Sequence, residues 1–141
     1  MTYYEVVKYL DELIIKPIDE NYISELNNFE ISLEGNRYYR FIGQINYVLT
    51  ERLRNCMDNI IDKLDVSVQS KESLILELSN IHSEVEFLKK IISIKQIKEE
   101  NKNEFIKSII KNNNELLEKV KLYFSDEEYL RIIDGYKLKE V

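Results

Sequence analysis

An all-α fold, an antiparallel helical bundle of four to five helices with heptad-like packing, is predicted by three features of this 141-residue chain. Only three glycines and one proline punctuate it, and none falls between Gly43 and Gly135, a stretch too long to be built of hairpins. Apolar residues recur at steps of three and four through most of that stretch, the spacing that lines one face of a helix. Two boxes of the form Ser/Thr-x-x-Glu, Thr2 with Glu5 and Ser125 with Glu128, mark helix starts, because each side chain of such a pair satisfies an amide the helix leaves orphaned. The length predicts a single helical domain, residues 1–141, able to bury most of the surface its unfolded form exposes.

The first helix begins after Thr2 and carries one apolar stripe, Tyr3, Val6, Val7, Leu10, Leu13 and Ile14, until Pro17 ends it near Ile15. Asp19 can cap a short second helix bearing Tyr22, Ile23 and Leu26. In the following stretch Phe29, Ile31 and Leu33 alternate with Glu30, Ser32 and Glu34 at the period of a strand, and Gly35-Asn36 resembles a turn. A small β-hairpin near residues 28–42, with Tyr39 and Phe41 on the return strand, is one reading of this segment, and a loop into the next helix is the other.

From about Asn36 to Leu64 a long amphipathic helix is predicted by Tyr38, Ile42, Ile45, Leu49, Leu53, Cys56, Ile60 and Leu64. The run DVSVQS, residues 65–70, breaks it. From Ser70 to Ile97 the residues Leu74, Leu78, Ile81, Val85, Leu88 and Ile92 keep alternating steps of four and three, a coiled-coil-like seam. Ile75, Ile91 and Ile94 widen that stripe beyond what one neighbouring helix covers, which predicts a homodimer through this helix. Asn101 with Glu104 is a further capping pair and places a turn in KEENKNE. Ile106, Ile109, Leu116, Val120 and Tyr123 continue the pattern, with Asn113 at a position that should be apolar; a polar residue there fixes register and costs stability, so leucine in its place should raise the melting temperature. A last short helix starts at Asp126, stapled by Phe124 and Tyr129, and stops at Gly135.

Charge and composition narrow the function. Twenty basic against twenty-six acidic residues give a net charge of −6, a field that repels nucleic acid and anionic membranes and suits a protein partner. The N-terminal MTYYEVVKYLDE lacks a basic segment followed by an apolar one, and no apolar run reaches the ~18 residues of a membrane span, so a soluble cytoplasmic protein is expected. The chain has no alanine or tryptophan and fifteen lysines to five arginines, a codon signature of a low-GC bacterium or its phage.

Catalytic and cofactor signatures are lacking. The single cysteine, Cys56, excludes an internal disulfide and reads as a small apolar filler. His82 is the only histidine, which removes His-pair metal sites; His82-Ser83-Glu84 matches half of the zinc-deaminase pattern, but the Cys-x-x-Cys half is absent. A di-iron bundle needs Glu-x-x-His, and Ser79 stands where that glutamate belongs. No phosphate-cradling glycine run or nucleophile elbow occurs. The expectation is a protein that is not an enzyme and needs no cofactor or metal.

One distribution is uneven. Arg37, Arg40, Arg52 and Arg54 lie within eighteen residues opposed only by Glu51, so that segment carries +3 and the remainder −9. On a helix, Arg37, Arg40, Gln44, Tyr47, Glu51 and Arg54 fall on one stripe opposite the apolar face. Arginine with tyrosine is the chemistry of interface anchors and of planar anion recognition. Arg37, Arg40, Tyr47 and Arg54 are therefore the candidate binding residues of a protein-binding module, an inhibitor, adaptor or regulator. The alternative is a helical receptor that sequesters or senses a small anionic ligand, such as a nucleotide or fatty acid, in which case the arginines face a cavity.

Overall fold

A computed structural model describes residues 2–30, 33–64, 71–122, 124–131 and 136. Among them are six helices and no strand: α1 (Tyr3–Leu13), α2 (Asn21–Asn28), α3 (Asn36–Leu64), α4 (Lys71–Ile92), α5 (Glu99–Lys121) and α6 (Asp126–Arg131). The all-α class holds. Both predicted capping boxes close: the Thr2 hydroxyl accepts from the Glu5 amide at 3.2 Å, and the Ser125 hydroxyl accepts from the Glu128 amide at 3.2 Å. Phe124 and Tyr129 are both buried at the start of α6, as a staple requires. Asp19 accepts from the Asn21 amide at 2.9 Å just ahead of α2, but the N-cap position itself is Glu20, whose side chain makes no cap, in place of the expected Asp19.

Helices α3, α4 and α5 run up, down and up, and α3 packs most closely on α4. The register is readable from polar contacts. Tyr38, near the start of α3, lies beside Lys98 and Asn101 at the start of α5, so those two helices are parallel. Helix α1 is also parallel to α3, because Tyr3 meets Arg37, Asp11 meets Gln44 and Leu13 meets Arg52. Only some neighbours are therefore antiparallel. The crossover that makes α1 parallel is α2, whose end is fastened by Gln96: its amide donates to the carbonyls of Leu26 at 2.9 Å and of Asn27 and Phe29 at 3.3 Å.

Where three helices meet, a buried ion pair holds them. Arg52 of α3 is only 6 % exposed. Its guanidinium grips Glu84 of α4 with two N–H donors, Nη2 to Oε2 at 3.0 Å and Nε to Oε1, while Nη1 donates to the carbonyls of Leu13 and of Lys16, the latter at 2.7 Å. Helix α1 has no basic residue in its last turn, so Arg52 supplies from outside the positive charge that its C-terminus favours. Phe87 lies under the guanidinium with its ring centre 4.8 Å away.

Several expectations are corrected. No hairpin forms at residues 28–42 among the described residues: Phe29 ends α2, Gly35 makes a left-handed turn with φ +57°, and Tyr39 and Phe41 are helical in α3. Phe29 packs edge-on to Phe41 at 5.8 Å between ring centres, a contact between an extended residue and a helix. Ile31, Ser32, the DVSVQS run, Tyr123 and the stop at Gly135 lie outside the described residues. The turn after α4 comes earlier than KEENKNE, at residues 93–98, and Asn101 caps nothing because its side chain accepts the hydroxyl of Tyr38.

The apolar seam of α4 is buried against the chain's own core: Leu74, Leu78, Ile81, Val85, Leu88 and Ile92 are all buried within one chain, as are Ile91 and Ile94. Of the residues that widened the stripe, Ile75 is half-buried, and Leu76 beside it is 61 % exposed.

Asn113 is buried as expected, at 4 % exposure. Its amide does not face a helix across a seam. It donates to the backbone carbonyl of Tyr136 at 3.2 Å, whose ring stands edge-on to His82 with 5.9 Å between ring centres. That partner reverses the sign expected for Asn113→Leu. Leucine leaves the carbonyl without its donor, so stability should fall by ~1 kcal/mol in urea titrations instead of rising. The imidazole protons of His82, the only histidine, should shift in the same variant as the Tyr136 ring moves; an unshifted spectrum with a raised melting temperature would restore the register reading.

Arg52→Ala or Glu84→Ala should each lower stability by ~3–5 kcal/mol, because the remaining charge is left buried and alone. The double variant Arg52→Met with Glu84→Leu should recover much of that loss. Chemical denaturation of the three proteins checks both statements, and a single-variant loss under ~1 kcal/mol would show that water reaches the pair.

Candidate functional site

Around the axis of α3 the side chains divide cleanly. Ile45, Val48, Leu49, Arg52 and Leu53 point into the core, and α1 and α5 flank this helix on either side. Between those flanks an outward strip remains, and it carries all four predicted site residues. Arg37, Arg40, Tyr47 and Arg54 are each exposed. Arg37 lies over the ring of Tyr3, 5.8 Å from its centre. Arg54 pairs with Glu51 at 3.0 Å, an exposed intrahelical contact of little energetic weight. Arg40 has no ion-pair or hydrogen-bond partner among the described residues.

Arg40, Tyr47 and Arg54 stand seven residues apart. Each step rises ~10.5 Å and turns only ~20° about the axis, so the three form a nearly straight row about 21 Å long. Tyr39, which the charge argument passed over, is 74 % exposed and Tyr47 is 50 % exposed, so two aromatic rings border the same strip. Gly43 lies among them. It is exposed inside the helix, and a Cβ built on it would meet nothing within 4 Å. Its backbone is not left-handed either, so the chain's own packing gives no reason for a residue that costs a helix interior ~1 kcal/mol relative to alanine.

No described cavity faces the arginines. The groove between α3 and α5, lined by Asn46, Leu49, Thr50, Leu53, Phe105, Ser108, Ile109 and Asn112, has a volume of about 20 Å³, room for one water. Among the described residues no three histidine, cysteine or acidic side chains converge as a metal set would. His82 is exposed against Tyr136, and Cys56 is half-buried beside the Arg52–Glu84 pair. No described helix is long and apolar enough to cross a membrane.

Burial, with Glu84 adding and Arg52 partly offsetting, pushes the Cys56 thiol up to about 11. The thiolate is the reactive form, so iodoacetamide at pH 8 should modify folded Cys56 ~100-fold more slowly than the urea-unfolded chain. The folded state holds this proton more tightly, so the associated stability is complete below pH ~8.5 and is lost as pH rises toward 11. A folded rate within threefold of the unfolded one would place the thiol in water.

Comparison with protein families, curated proteins and solved structures finds no match to this chain.

Proposed function

We propose that this protein is a non-enzymatic protein-binding module, an inhibitor, adaptor or regulator, that engages an acidic partner through the outward strip of α3. The observation that carries the reading is the orientation of the arginines: Arg37, Arg40 and Arg54 are exposed on the outside of the bundle beside the half-exposed Tyr47. A receptor for a small anion would turn them toward a cavity, so their placement favours a macromolecular surface over the nucleotide or fatty-acid alternative. With Arg52 turned inward and paired with Glu84, the strip carries Arg37, Arg40 and Arg54 against Glu51, a net +2 within a chain of net charge −6, so an acidic patch is drawn to it and repelled elsewhere. A homodimer through α4 stays part of the reading, and the half-buried Ile75 and exposed Leu76 beside the buried seam are what it would cover. Composition supports a setting in the cytoplasm of a low-GC bacterium or its phage.

The test replaces Arg37, Arg40 and Arg54 together by alanine, confirms an unchanged helical spectrum, and measures capture of the native partner from lysate. Loss of at least ~30-fold in affinity is expected, because truncating one desolvated anchor typically costs ~2 kcal/mol. Full retention would show the strip to be a solvated face.

A further inference from the structure

The open surface at Gly43 identifies the kind of partner. On the helix surface the nearest neighbours of Gly43 are Tyr39 and Arg40 one turn before it and Asn46 and Tyr47 one turn after, and all four are exposed. The missing side chain thus leaves open helix surface whose nearest sequence neighbours on that face are two tyrosines and an arginine that pairs with nothing in the described chain. Helix stability is lowered by this glycine, and no contact within 4 Å inside the protein requires it. Close approach of another backbone is the remaining physical use of such a position.

We propose that an acidic amphipathic helix of a partner protein lies nearly along α3 and crosses it at Gly43. A small residue of that helix seats over Gly43, between Tyr39 and Tyr47, and carboxylates two heptads apart meet Arg40 and Arg54. The inference rests on the protein-binding reading above and adds the partner's form. Two observations select a helix of negative charge. Arg40, Tyr47 and Arg54 repeat every seven residues along a straight row, the interval at which a second helix presents side chains to the same line. The strip carries Arg37, Arg40 and Arg54 against the single acid Glu51, so carboxylates complement it while a second copy would set arginines against arginines. Arg54 is exposed and its contact with the half-buried Glu51 lies within one helix turn, so it can turn to a partner carboxylate at little cost.

The experiment uses the full chain and two synthetic helical peptides of about 20 residues, one with glutamates at positions i and i+14 around an alanine, the other with lysines in their place. Binding is followed by amide chemical-shift changes at low salt. The glutamate peptide should bind and shift Tyr39, Arg40, Gly43 and Tyr47, and the lysine peptide should not. Gly43→Leu should weaken the glutamate peptide at least tenfold while melting at or above the wild-type temperature, and Gly43→Ala should melt a few degrees higher than wild type. The pairing of lost binding with retained or raised stability is the signature, because damage to the fold moves both the same way. Equal binding to Gly43→Leu, equal binding of the lysine peptide, or no binding of the glutamate peptide overturns the inference. So does sedimentation showing a wild-type dimer that Gly43→Leu dissociates, which makes the occupant a second copy. These variants keep every arginine, so their failure leaves the broader reading standing, whereas full retention by the triple alanine variant removes it.

Discussion

The fold depends on a buried charge finding four acceptors at once. An isolated guanidinium inside a protein is prohibitively unfavourable, and Arg52 is tolerated because Glu84 and two backbone carbonyls surround it. The four acceptor atoms come from three places in the chain: both carboxylate oxygens from α4, and the carbonyls from the end of α1 and from the residue before Pro17. Sliding any of the three helices by one residue would separate the guanidinium from at least one of them. Apolar packing alone is forgiving of such slips, since leucine and isoleucine fit many neighbours, and the ion pair therefore selects one register among several of similar burial.

Much of this architecture was legible from periodicity. Helix α3 has the predicted bounds, Asn36 to Leu64, because its apolar residues follow the helical step without interruption. The α4 seam and both capping boxes were equally plain, being local patterns. The signal for the ion pair was present too, since Arg52 falls on the apolar stripe between Leu49 and Leu53, and Glu84 lies within the buried arc of α4. A lone charge within such a stripe marks a buried site, but which charge meets which is a matter of tertiary contact. The failed hairpin has a simpler cause. Residues two apart share a face on a strand but are separated by ~200° on a helix, so Tyr39 and Phe41 fit one face of a return strand by sequence yet stand exposed and buried on α3. Asn101 was lost as a cap to a contact with Tyr38, 63 residues away, which no local pattern encodes.

Helix α3 also separates its structural and surface roles by angle. Arg52 and Arg54 are two residues apart and so point nearly opposite ways, one into the core and one to solvent. Four arginines in one segment thus divide into a single internal fastener and three outward charges. The candidate site was legible as a stripe because its members share an angle, while Tyr39 was missed because it lies toward the edge of the strip and carries no charge. The significance of Gly43 required the structure, where no contact among the described residues explains it.

The parallel arrangement of α1 and α3 has a consequence for biosynthesis. Helix α1 is made before α3 and α4, yet at 11 residues it is too short to persist alone, and its C-terminal carbonyl at Leu13 is capped by a guanidinium that is itself stable only once Glu84 has been synthesised. At ribosomal rates of ~5–20 residues per second, the opening segment therefore waits roughly 4–14 s with its apolar face uncovered before its dock exists. The stripe of Val6, Leu10 and Leu13, buried in the finished fold, therefore stays uncovered until chain about seventy residues further on has been made.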